Sequence, residues 1–140
     1  MEPALVDNVF VTITALETGD DRTFELRVAG PAALLTAKAI KISERLDQVD
    51  AQPDRLKEKD ALDAFRVFQA IDTPELVRGF TGHRDHEHAA AVTAEAIEIL
   101  RAHASTPQGR IAQLTGSATQ DDPTVAPAFA ALVNDLLTHI

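Results

Sequence analysis

Lys38, Lys41 and Arg45 stand at i, i+3 and i+7, a spacing that puts three cations on one face of a helix. Asp60 and Asp63, at i and i+3, put two carboxylates on one face of the following helix, with Leu62, Phe65 and Phe68 on the neighbouring apolar arc. A cationic row is the chemistry of phosphate binding, because Lys and Arg offer charge-assisted hydrogen bonds to anionic oxygens. Carboxylates beside such a row can orient an ammonium group or a water molecule. Two plainer arrangements use the same spacing: a solvated helix face, or salt bridges from the row to Asp60 and Asp63.

These residues are positioned by what flanks them. Gly30-Pro31 predicts the start of a helix running to about Leu46, with Leu35, Ala39, Ile42 and Leu46 turned inward. A polar loop over Asp47–Asp54, holding Pro53, leads to a second helix over about Lys57–Ile71. Before this pair, Val9–Leu16 and Thr23–Val28 alternate with period two around Glu17-Thr-Gly-Asp-Asp21, the pattern of a β-hairpin. After it, Thr73-Pro74-Glu75 caps a short helix stopped by Gly79 or Gly82. An Ala-rich helix over Glu87–Ala104 then presents Val92, Ala96, Ile99, Leu100 and His103. Pro107 and Gly109 break that helix, Arg110–Leu114 form a short one, and Asp121-Asp-Pro-Thr124 cap a last helix ending near His139. The expected fold class is α+β, mostly α. A hairpin over 1–30 packs on the first helix, the basic and acidic helix pair spans 31–72, and a helical bundle spans 73–140, all in one domain.

Composition sets the outer limits. With 140 residues and a formal net charge of -9, the chain lacks the basic surface that an extended nucleic-acid interface needs. It has no cysteine, hence no disulfide, thiolate metal site or thiol nucleophile. No apolar run is long enough for a membrane span, and the first residues lack a signal-peptide pattern, so no membrane role and a cytoplasmic location are expected. No glycine arrangement forms a phosphate-cradling loop. His83, His86 and His88, in H-R-D-H-E-H, could supply zinc ligands. The alternative is a solvated segment with Asp85 capping the next helix.

A strand ending V-A-G-P, a helix L-L-T-A-K with an Arg seven residues beyond the Lys, a polar loop, and then R-L-K-E-K-D-A-L-D-A-F-R together resemble part of the nucleotidyltransferase superfamily. The closest likeness is to the abortive-infection-type toxin nucleotidyltransferases and their bacterial relatives, over Pro3–Ile71. The resemblance implies that Lys38 meets the phosphates of a nucleoside triphosphate, with Lys41 and Arg45 extending the positive surface. It further implies that Asp60 supports Lys38, and that Asp63 pairs with Arg66 or Arg45. The family's Gly-Ser turn and Asp-x-Asp pair, which hold magnesium for nucleotidyl transfer, would lie before the hairpin, and no Asp-x-Asp occurs in this chain. Gly116-Ser117 with Asp121 and Asp122 lies on the wrong side of Lys38 and reads as a loop before a helix cap. Magnesium would therefore enter only with ligands from a preceding segment, and the catalytic assignment of Lys38 and Asp60 is half a site.

Three functional classes follow. The chain is the C-terminal portion of a nucleotidyltransferase-like protein, inactive alone; or a relative that keeps a nucleotide- or anion-binding face; or an interaction protein, as in a toxin–antitoxin pair. The hairpin's outer edge, unpaired in this chain, predicts a homodimer or a strand-edge protein partner.

Overall fold

The computed structural model describes residues 2–140. Nine elements and one short 3-10 turn follow in order: α1 (Pro3–Val6), β1 (Asn8–Thr14), β2 (Thr23–Ala29), α2 (Pro31–Asp47), α3 (Glu58–Ala70), α4 (Thr73–Arg84), α5 (Ala90–His103), α6 (Arg110–Ser117) and α7 (Val125–His139), with the 3-10 turn at Pro53–Arg55. The class is α+β, mostly α: one antiparallel hairpin and a body of helices.

The helical body is built around small residues. Ala32, Ala61, Ala96 and Ala112 are fully buried, and they let helices approach closely enough for Leu35, Ile42, Leu76, Phe80, Ile111, Phe129, Val133 and Leu136 to interlock. Helix α2 is central and packs on α3, α4 and α5, while α6 and α7 close the body against α3. Its buried residues include Leu35, Ala39, Ile42 and Leu46, the face that the spacing predicts. Phe129 of α7 meets Phe65 and Phe68 of α3 with ring centroids 5.6 Å apart in each pair. Tilted and edge-on contacts of this kind suit the aromatic quadrupole.

Several boundaries differ from the sequence expectation: α1 is unforeseen, β1 ends at Thr14 rather than Leu16, and α6 runs on to Ser117. Helix α4 is not stopped by Gly79 or Gly82 but runs through both to Arg84. The reason at Gly79 is packing: a Cβ there would lie 2.6 Å from the Cβ of Ala32, so glycine lets α4 close on α2. The cap of α4 is Asp72, whose carboxylate accepts from the N–H of Glu75 at 2.9 Å, and Thr73 is already helical. Helix α5 begins at Ala90, not Glu87, and buries Thr93, Ala96, Ile97 and Leu100. The buried stripe thus includes Thr93 and Ile97 in place of Val92 and Ile99, because an alanine-rich helix gives little periodic signal to fix its phase.

The hairpin forms as expected but in an unexpected setting. Val9, Val11 and Ile13 pair with Val28, Leu26 and Phe24, so six apolar side chains share one face. The other face carries Phe10, Thr12 and Thr14 opposite Arg27, Glu25 and Thr23, with the Arg27 guanidinium 4.9 Å from the Phe10 ring centre. The turn uses Gly19 at φ +91°, a conformation that favours glycine. Rather than laying a face on α2, the hairpin meets the helices at its base alone. All six residues of the apolar face are between 40% and 69% exposed.

Candidate functional site

The cationic row and the carboxylate pair are brought together across the α2–α3 interface. Asp60 accepts from Lys41 Nζ at 2.8 Å and from Arg45 Nη1 at 3.0 Å, with Lys38 Nζ 3.8 Å away. Asp63 accepts from Lys38 at 3.3 Å and from Arg66 at 3.4 Å. The side chains of Lys38 and Asp60 are 15% and 13% exposed. That places the centre of this network between a surface pair and a buried one, so its charges are partly shielded from solvent. Four cations share two carboxylates, which leaves positive charge in excess, and Lys41 and Arg66 turn their outer parts to water. Lys38, Lys41, Arg45, Asp60, Asp63 and Arg66 thus form one cluster. Its cations already hold internal carboxylates, so an incoming anion must share or displace them.

Lys41 also borders a pocket of about 200 Å³ between α1, α2 and α5, walled by Ala33, Thr36, Ile40 and Val92 with Glu44 at its rim. Ligand pockets for drug-sized molecules run to about 300–1,000 Å³, so this one is too small to enclose a nucleoside triphosphate.

A second polar node ties the hairpin to the body. Asp7, between α1 and β1, sends its carboxylate to the N-terminus of α2, where it accepts from the Ala33 N–H at 3.3 Å. The formal cap of that helix, Gly30, has no side chain to offer, so Asp7 supplies the acceptor from a distant stretch of chain. A side chain at Gly30 would overlap the Asp7 carboxylate, which accounts for glycine there. The same carboxylate lies 3.1 Å from Nε2 of His83, which is 2% exposed on α4. Gly30 N–H closes the node by donating to the Asp7 carbonyl at 2.9 Å.

The histidine cluster is therefore divided. His83 faces inward to Asp7, while His86 and His88 lie in the exposed turns after α4, their rings 5.6 Å apart. Among the described residues no group of three His, Asp or Glu side chains is placed to hold a metal ion. Asp85 ends α4 rather than capping α5. Gly116 and Ser117 close α6, and Asp122 accepts from the Thr124 N–H and hydroxyl at 2.9 and 2.7 Å in a turn leading into α7, but the expected cap is not made, because Thr124 at the N-cap forms no side-chain capping hydrogen bond. Those hydrogen bonds hold the Asp122 carboxyl below its ordinary value.

Sequence reasoning missed the Asp7–His83 contact, because nothing local connects residues 76 positions apart. It also missed the exposure of the hairpin. The chain matches no family model, no curated protein and no solved structure. No helix among the described residues is long and apolar enough to cross a membrane.

Proposed function

We propose that the protein is an interaction module, in which the helical body carries the hairpin as a docking element for a protein partner. The observation behind this reading is the apolar face of Val9, Val11, Ile13, Phe24, Leu26 and Val28, uncovered along its whole length. A two-stranded hairpin is marginal in water, and apolar patches of a few hundred Å² on a monomer mark contact surfaces. At high dilution, the full chain is expected to enhance the fluorescence of a neutral apolar dye such as Nile red. Leu26→Glu should reduce that enhancement severalfold while leaving the helical circular dichroism unchanged. No enhancement, together with strongly protected hairpin amides in the dilute chain, would show the face packed on its own body and end the reading.

The excess of cations around Asp60 and Asp63 favours a second reading, a residual phosphate-binding face of nucleotidyltransferase type. Under it, Lys38, Lys41 and Arg45 exchange carboxylate oxygens for those of a nucleoside triphosphate. Binding is weak, because each phosphate contact competes with an ion pair already made. Titration with a labelled triphosphate is expected to show weak association that Lys38→Ala abolishes. Incubation with magnesium and a mixed tRNA and protein acceptor pool is expected to yield no transfer, since this sequence carries no Asp-x-Asp pair to hold the ions. Binding unchanged in Lys38→Ala, or transfer by the unaltered chain, would refute the assignment.

A further inference from the structure

We infer that the occupant of the hairpin's apolar face is a second copy of this chain, stacked face to face across a two-fold axis. The inference rests on the interaction-module reading and names its partner. Three observations lead to it. First, the face carries no charge: Glu25 and Arg27 point to the opposite side, and Glu17, Asp20, Asp21 and Arg22 lie beyond the strand ends. Two copies at a net charge of -9 repel each other, so they can meet closely where neither presents charge.

Second, the large exposed hydrophobic residues among those described are Leu5, Val6, Val9, Phe10, Val11, Ile13, Leu16, Phe24, Leu26, Val28 and Leu34. All precede Pro53, and most belong to the hairpin. Outside the hairpin only Leu5 and Val6 of α1 and Leu34 of α2 are exposed in this way among the described residues, a smaller patch beside the hairpin's base, whereas another hairpin offers a face of matching size. An isologous contact needs one patch that complements itself, and a flat apolar face meets that condition.

Third, the size fits. The six residues are 40–69% exposed, so complete cover of both faces would remove at most about 1,000 Å², the threshold for a specific interface. Two-stranded faces packed at the usual sheet spacing of about 10 Å would form a small sandwich and supply the cover that a lone hairpin lacks. Pairing through the β1 edge satisfies less. Edge N–H and C=O groups are already solvated, and edge pairing would leave the same six side chains in water, merely doubling the width of the wet face.

The test is light scattering on the full chain over a range of concentrations, with helical circular dichroism as the check of folding. The unaltered chain is expected to move from monomer to dimer mass as concentration rises. Leu26→Glu and Val11→Glu, at the centre of the face, should weaken dimerisation by at least about 100-fold. Thr12→Lys, on the opposite face, should change it by less than about 3-fold. A monomer at every concentration would overturn the inference, and so would a dimer that survives Leu26→Glu or is broken equally by Thr12→Lys. A monomer that still binds Nile red through this face would sink the second copy while leaving the interaction module standing with a different partner. A monomer that binds no dye would sink both.

Discussion

Replacing Asp60 with alanine is expected to lower the unfolding free energy by about 2 kcal/mol, between the 0–1 typical of exposed ion pairs and the 3–5 for breaking a buried one. The asymmetry of the network decides this magnitude. Asp60 holds Lys41 and Arg45 directly and lies within reach of Lys38, so its loss leaves three cations along one face of α2. Lys38 keeps Asp63, but Lys41 and Arg45 lose their carboxylate. Removing a cation instead has a smaller effect. Lys41→Ala leaves Asp60 with Arg45 and gives up a side chain that is 44% exposed, so a loss below about 1 kcal/mol is expected. Urea unfolding of both variants measures the difference. Raising the salt to 1 M should shrink the Asp60→Ala deficit by screening the stranded cations. A deficit under about 0.5 kcal/mol, unaffected by salt, would mean that solvent already compensates the cluster.

Phe129→Ala should be costlier still, about 3–5 kcal/mol, the range for truncating a large buried aromatic. Phe129 is fully buried on α7 and touches two rings of α3, so its removal leaves a void that Phe65 and Phe68 can fill only by abandoning their rotamers. Set against total stabilities of about 5–15 kcal/mol, that loss is a large share of the whole. Phe129→Leu keeps most of the volume and is expected to cost less than half as much. Thermal unfolding followed by circular dichroism separates the two variants. Equal melting temperatures for Phe129→Ala and the unaltered chain would show that the α3–α7 contact is not a support of the fold.

The elements that the sequence made legible are those with strong local signals. Alternation over Val9–Leu16 and Thr23–Val28 specified the strands and which side chains share a face; the faces agree with the pairing, while the first strand ends at Thr14 rather than Leu16. Gly30-Pro31 marked the start of α2, and the spacing of Leu35, Ala39, Ile42 and Leu46 marked its buried side. The meeting of Lys38, Lys41 and Arg45 with Asp60 and Asp63 was legible because a short loop confines where α3 can lie. What was not legible depends on contacts far apart in the chain. Gly79 reads locally as a helix stop, yet serves the approach of α4 to Ala32. His83 reads as part of a polar cluster, yet is buried against Asp7. Alternation also specifies a strand's two faces without saying whether anything covers either one, which is why the hairpin's exposure was not foreseen.

The closure of the hairpin at its base has a consequence for how such a chain can diversify. The Asp7 carbonyl and the Gly30 N–H are joined at 2.9 Å, so everything between them is a loop whose ends already meet. The helical body senses the presence of that closure and little of what lies beyond it. Lengthening an insert between closed ends adds only about 0.6 kcal/mol for each doubling. Residues 9–29 can therefore drift, lengthen or be exchanged for another element with Asp7, Asn8, Gly30 and His83 kept in place, Asn8 being tied to the Ala4 and Leu5 carbonyls. Under the interaction-module proposal, the fold would act as a socket, in which partner choice could change faster than the scaffold that presents it.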